Sequence, residues 1–451
     1  MPSKYQVKNP SRYIILVYLT MIVLGMILLS LPISSNGISS IDALFTSTSA
    51  FCVTGLIVKD TAVDFTLFGK IVILILIQIG GLGYMAFSNL LLIMFRRIPN
   101  LRQRMVAKEE YGLLSMEDIA QFLKWIVVTT IVFEVSGMIV LFSGFSQFLP
   151  FKEALNQSVF HSVSAFCNAG FSTFSTNLTG FYRYPLVSIT VAVLVILGGI
   201  GFIVLRDIGM RLSGRKRFLD VHTRIVLLTT GILILVYTGL IMLTESGNTL
   251  KGLSRGHAFL AGFFTAITPR TAGFNLVNTG SLLPITLLLV VLGMYIGASP
   301  GGTGGGVKTT TFVVLLMWLK NRLKGRLYTN VFKRRISEPT LNKAFLLLFL
   351  SALFIFTMTT LLTYTEKKVY NERGFLPLLF EEVSAFGTVG LSMGSGQRSE
   401  VSLAGDFTVA GKLILIVTMI FGRAGPLVIA ASLFRPREEV IKYPAAKILI
   451  G

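Results

Sequence analysis

EVSAFGTVGL, residues 382–391, closes a moderately apolar run that is too short to cross a membrane. The same design recurs at STSAFCVTGL (47–56), SVSAFCNAGF (162–171) and TAITPRTAGF (265–274). Ser-Ala-Phe stands at one offset in three of the four, and each stretch turns at a glycine: Gly55, Gly170, Gly273 and Gly390. These glycines are 115, 103 and 117 residues apart, and a near-regular period sets the architecture before any local pattern does. The expected unit is a span, a re-entrant loop and a second span, repeated four times. Non-helical backbone at membrane depth is tolerated only where protein buries it or where it lines water, so four copies around an axis would line one path. A short helix dipping in from outside aims the negative end of its dipole at the membrane middle, which favours a cation. Glycine at the turn lets the chain return extended. Rings of carbonyls can then replace the water shell of a monovalent ion. Asp and Glu are missing within two residues of each glycine, which argues against carboxylate rings for a divalent ion.

The sequence around these stretches suits a membrane. Of 451 residues, 53% are hydrophobic and 14% charged, with a mean hydropathy of +0.74. A soluble domain carries about 25% charged residues, so the composition argues against an ordinary soluble enzyme. The 35 phenylalanines exclude disorder. Apolar runs at 13–33, 71–95, 125–151, 184–205, 225–243, 282–307, 344–365 and 413–434 give eight expected spans. The first run is too long for a cleaved signal and reads as a retained span. Basic residues gather in alternate segments: Lys4, Lys8 and Arg12; Arg96, Arg97, Arg102, Arg104 and Lys108; Arg206, Arg211, Arg215, Lys216, Arg217 and Arg224; Lys320, Arg322, Lys324, Arg326, Lys333, Arg334 and Arg335; Arg435, Arg437, Lys442 and Lys447. Both termini are therefore expected in the cytoplasm. The +20 net charge marks these loops and not a nucleic-acid surface. The fold class is an all-α polytopic membrane protein of four parallel repeats, 1–110, 111–218, 219–335 and 336–451, around one central pore.

VTGL, NAGF, TAGF and TVGL at the four turns make the chain similar to the Trk/Ktr/HKT superfamily of cation transporters, over residues 13 to 434. Within it, the size and the single glycine per turn most resemble the membrane subunits of bacterial Ktr potassium-uptake systems. That resemblance implies potassium translocation across the plasma membrane, with potassium as cargo and no organic cofactor. It implies a homodimer with a pore in each subunit, a cytoplasmic nucleotide-binding regulatory ring, and sodium stimulation. It also implies that carbonyls of Val53, Thr54, Asn168, Ala169, Thr271, Ala272, Thr388 and Val389 coordinate the ion beside Gly55, Gly170, Gly273 and Gly390. Repeats one and four come near the T-V-G sequence of potassium channels; repeats two and three depart from it.

Gly301-Gly302-Thr303-Gly304-Gly305-Gly306, after Pro300, must break the second span of repeat three, because each glycine costs about 1 kcal/mol in a helix interior. A phosphate-cradling loop would need glycine before the lysine, but Val307 precedes Lys308, and no strand leads in. A passive kink and a flexible gate beneath the filter remain; the resemblance favours the gate, since this segment matches the family's intramembrane loop. Arg423, mid-span in repeat four, either faces the pore waist or pairs with carbonyls. Lys308 either serves the gate or snorkels to the interface. Arg270, beside Gly273, should point behind the filter toward Glu381 or Glu382, since a cation on the ion path would repel the ion. Glu134 reads as a helix–helix contact. Cys52 and Cys167 read as small apolar residues, and His161, His222 and His257 share no metal-binding spacing. The basic loop 320–335 suits anionic lipid, a cytoplasmic partner, or topology alone. No nucleophile–base pair is visible, so the chain is not expected to be an enzyme. The competing function is a sodium-coupled secondary transporter of another solute, which would favour several broken helices.

Overall fold

The computed structural model describes residues 10–83, 119–398, 400–426 and 428–429. The inner end of the second span, Arg96 to Lys108, the 110/111 boundary, the last part of the span ending at 434, Lys4, Lys8 and the basic C-terminal tail lie outside the described residues. The chain is helical. It runs α1 (Pro10–Leu29), α2 (Ser40–Phe51), α3 (Leu67–Leu82), α4 (Ile119–Phe145), α5 (Phe151–Phe166), α6 (Pro185–Gly199) and α7 (Phe202–Leu212). It continues with α8 (Val221–Glu245), α9 (Arg255–Ile267), α10 (Pro284–Tyr295), α11 (Thr309–Leu323), α12 (Glu338–Thr365), α13 (Lys367–Arg373), α14 (Phe375–Gly387) and α15 (Val409–Ala424). The one described sheet is a two-stranded hairpin, β1 (Asn330–Val331) with β2 (Arg334–Arg335), inside the basic loop.

Among the described residues, three helices are long and apolar enough to cross a membrane: Gln121–Phe145, Val221–Glu245 and Glu338–Thr365. Their apolar side chains face outward, as at Leu235 (74% exposed) and Phe356 (72%), which suits lipid rather than water. Ile14–Leu29, Leu67–Leu82 and Pro284–Tyr295 are apolar but shorter.

The structure corrects the continuous span expected at 184–205 and carries the expected break in the span at 282–307. The first breaks by 98° between α6 and α7, where Gly201 adopts φ 95°. The second is helical only to Tyr295. Breaks are also not peculiar to repeat three: α3 and α15 end at Gly83 (φ 78°) and Gly425 (φ 85°). The cause is local. A left-handed glycine ends a helix at little cost, whereas other residues resist that geometry. The starts are equally local: Pro185 and Pro284 occupy first turns. The Thr66 and Thr408 hydroxyls cap α3 and α15 by accepting from the Gly69 and Gly411 N–H groups.

The short helices α2, α5, α9 and α14 sit inside the bundle, and their C-terminal Phe51, Phe166 and Phe386 are buried. Gly80, Gly198 and Gly422 let the following helices close on them. A β-carbon at any of the three would collide with the carbonyl oxygen of Phe51, Phe166 or Phe386 respectively.

Candidate functional site

Each short helix ends in the same backbone device. Val53, Asn168, Thr271 and Thr388, two residues before the glycines, have φ of 57°, 58°, 68° and 49°. The glycines follow at 91°, 68°, 72° and 87°. For β-branched valine and threonine such angles cost on the order of 1–3 kcal/mol each and persist only where the surroundings enforce them. Hydroxyls behind the turns supply part of that enforcement. Ser49 and Ser384 Oγ accept the N–H groups of Gly55 and Gly390, each at 3.1 Å. Ser164 and Thr268 donate to the carbonyls of Phe171 and Phe274 at 2.7 and 2.5 Å.

The four glycines meet. A β-carbon on Gly55 would lie 3.0 Å from the Gly170 α-carbon, one on Gly170 2.8 Å from that of Gly273, and one on Gly390 2.9 Å from that of Gly55. One on Gly273 would lie 3.4 Å from the Gly390 α-carbon, closing the circle. All four line one cavity of about 240 Å³ with the outer loops. Around this ring the residues Val53, Thr54, Asn168, Ala169, Thr271, Ala272, Thr388 and Val389 are buried. Among the described residues none of their carbonyl oxygens accepts a hydrogen bond. Of these, the carbonyls of Thr54, Ala169, Ala272 and Val389 lie against the ring glycines. Buried carbonyls are nearly always partnered, so unpaired ones gathered on a circle suit an electropositive guest.

Directly beneath lies the glycine-rich segment. Pro300 to Lys308 is non-helical between α10 and α11. Its backbone is tied to every side. Gly297 N–H donates to Val307 at 2.9 Å, Ser299 N–H to Gly199 at 3.0 Å, and Gly301 carbonyl accepts from Phe202 at 2.9 Å. Gly306 N–H donates to Gly422 at 3.3 Å. Upward, Gly305 N–H donates to the Thr388 hydroxyl at 2.8 Å, and a side chain on Gly304 would strike Thr271. The Arg423 guanidinium donates to the carbonyls of Thr303 and Gly80, joining the segment to α3. Lys308 does not snorkel away: its ammonium turns back to the Gly304 carbonyl at 2.6 Å. Gly302 lies against the Gly198 and Gly199 carbonyls.

A family model for cation transport proteins, described by the name TrkH, matches residues 2–443. The chain belongs to this family. Ktr system potassium uptake protein B of Vibrio alginolyticus is 40% identical, covering 98% of this chain and 94% of the relative. The Bacillus subtilis protein of the same name is 37% identical over 98% of this chain and 97% of its own length. Potassium/sodium uptake protein NtpJ of Enterococcus hirae is 34% identical, covering 98% and 97%. The crystal structure of the potassium transporter TrkH from Vibrio parahaemolyticus superposes with a TM-score of 0.75 at 19% identity, over 96% of this chain and 87% of that one. The fold is thus that of the TrkH family, and the chain is a membrane transporter, not an enzyme.

Within this family fold the remaining residues find their places. Arg270 does lie behind the ring, buried, but it donates to the Thr230 hydroxyl of α8 at 3.1 Å and not to a carboxylate. The expected pairing with a glutamate is not made; both glutamates bond to groups nearer their own helix. Glu381 accepts from Ser392 at 2.7 Å and from Ala404 N–H at 3.0 Å; Glu382 accepts from Thr418 at 2.9 Å. Glu134 on α4 accepts from Gln78 on α3 at 3.2 Å, the helix–helix contact its position suggested. Cys52 and Cys167 are buried and unbridged. Among the described residues no group of His, Cys, Asp and Glu could hold a metal. Sequence reasoning missed the hydroxyls Ser49, Ser164 and Ser384, although they are the first letter of the repeated Ser-Ala-Phe. It also missed Gly80, Gly198 and Gly422, whose signal was the glycine near the end of each apolar run.

Proposed function

We propose that the chain takes up potassium across the plasma membrane through a carbonyl-lined filter at Gly55, Gly170, Gly273 and Gly390. Four span–loop–span repeats, with eight crossings in all, surround that axis. The observation that carries this reading is the closed circle of buried, unbonded carbonyls at the four left-handed turns. A potassium ion entering it exchanges water oxygens for main-chain oxygens held in place beforehand, and α2, α5, α9 and α14 present their negative ends from four sides. The family membership and the potassium uptake named for its Vibrio and Bacillus relatives support the choice of ion. The relative named for potassium and sodium supports sodium involvement.

Beneath the filter, residues 301–306 act as a gate, with Arg423 and Lys308 as its latches. Both side chains hold carbonyls of the segment, so closing requires no new contact and opening requires their release. Control from a cytoplasmic nucleotide-binding ring, a homodimer with one pore per subunit, and contact of loop 320–335 with lipid complete the proposal. A sodium-coupled carrier of another solute would use polar side chains around a midplane cavity. The breaks here instead adjoin a site made of backbone.

The test is flux into liposomes. Gly55, Gly170, Gly273 and Gly390, each changed to serine, are expected to lower the potassium-over-sodium ratio. Four variants with the parent ratio would overturn the filter.

A further inference from the structure

Asn177 lies in the loop between α5 and α6, at the mouth of the ring. Its Nδ2 stands 3.4 Å from the carbonyl oxygens of both Gly170 and Gly273, and it lines the same cavity as the four glycines. No side chain of a described residue reaches the carbonyl of Gly55 or Gly390 in this way. The backbone that presents Asn177 is held without help from its amide. Its N–H donates to Phe174 at 3.0 Å, and its carbonyl accepts from Ser172 at 3.4 Å. Ser172 Oγ meets His161 Nε2 at 2.9 Å, and His161 Nδ1 meets the Gln157 carbonyl at 2.8 Å. His161 is wholly buried, with its ring 5.0 Å from that of Phe174. The residue is left-handed, φ 56°, a conformation that asparagine tolerates well.

The two ends of the amide fare differently. The nitrogen faces two carbonyls. The oxygen is buried and accepts nothing among the described residues. An unmatched buried acceptor is costly to keep. The nitrogen brings partial positive charge to two oxygens that an ion at the mouth would share. A half-turn about the last side-chain torsion exchanges oxygen for nitrogen with almost no change of shape. We propose that Asn177 is an outer ligand of the permeating cation. Its Nδ2 marks the ion's place between the carbonyls of Gly170 and Gly273. As potassium sheds water there, the amide turns and Oδ1 joins those carbonyls around it. The entrance is therefore one-sided, biased toward repeats two and three. This inference rests on the filter reading above.

Potassium uptake by the full chain in liposomes tests it, with two variants. Asn177→Gly keeps the left-handed backbone and removes the amide. Asn177→Asp keeps the shape and offers oxygen at both ends. The glycine variant is expected to raise the KM for potassium by about fivefold or more at a maximal rate within about twofold of the parent, while the aspartate variant keeps a KM at or below the parent's. A KM within about twofold of the parent in Asn177→Gly, or an equal rise in both variants, overturns the ligand role. Gly170→Ser measured alongside separates the two readings. If it alters potassium selectivity while Asn177→Gly leaves KM unchanged, the filter stands and the outer ligand falls. If Gly170→Ser and the serine variants of Gly55, Gly273 and Gly390 all alter nothing, the filter falls and the ligand with it.

Discussion

Glycines of this chain divide by what surrounds them. Gly80 packs against the Phe51 carbonyl and has no room for a methyl group, whereas Gly231 on α8 faces open space. Gly80→Ala is expected to destabilise the protein by about 1–3 kcal/mol through overpacking. Gly231→Ala should instead raise stability by up to about 1 kcal/mol, since alanine is the better helix former. Melting temperatures of the two variants in one detergent check both signs; a shared direction would contradict the packing described. The turning glycines were legible in the sequence because a fourfold offset is a strong signal. The left-handed Val53, Thr271 and Thr388 were not, because valine and threonine ordinarily refuse that region and only the assembled ring enforces it. Asn177 was invisible for a related reason. It lies seven residues past Gly170, and only the closed circle brings its side chain to Gly273.

Helices and the segments between them show where a hydropathy reading stops. Apolar runs fall on the described apolar helices, yet outside the glycine run at 301–306 they could not tell that α3, α6 and α15 halt early. Hydropathy counts side chains, while the halt is set by backbone angles at Gly83, Gly201 and Gly425. The 296–308 segment is bonded to α6, α7 and α15 and to Thr388 just past α14. It is bonded in place and is not a slack linker. Arg423→Gln, which removes the guanidinium from the Thr303 and Gly80 carbonyls, is expected to raise potassium leak through the isolated chain by about threefold or more. Leak at the parent level would assign Arg423 to structure alone. At the α7–α8 turn, Asp207 accepts from Lys216 at 2.5 Å and from Asp220 N–H at 2.8 Å. Burial alone would raise its carboxyl, but these hydrogen bonds outweigh it and hold the carboxyl below its ordinary value. A depressed folded value means that its contribution is present above the unfolded carboxylate range and lost as pH falls through the folded one. Asp207→Asn should therefore lower the melting temperature at pH 7 and converge on the parent in acid; an unchanged pH 7 melt would dismiss the pair.

The whole molecule follows from the period of the sequence more than from any single stretch. The short helices α2, α5, α9 and α14 are all buried among their neighbours. Orientation rests on the basic loops, and it can be read directly. Cys52 and Cys167 are buried, leaving little background for thiol labelling. Lys324→Cys is expected to react with a membrane-impermeant maleimide only from the cytoplasmic side, and Lys251→Cys only from outside. The opposite pattern would invert the topology. The central claim is that main-chain oxygens at four converging turns hold the ion. Diffraction from crystals grown in rubidium or thallium, read by anomalous scattering, tests it most directly. Peaks are expected on the axis encircled by Gly55, Gly170, Gly273 and Gly390, and sites anywhere else, with that axis blank, would contradict a main-chain filter.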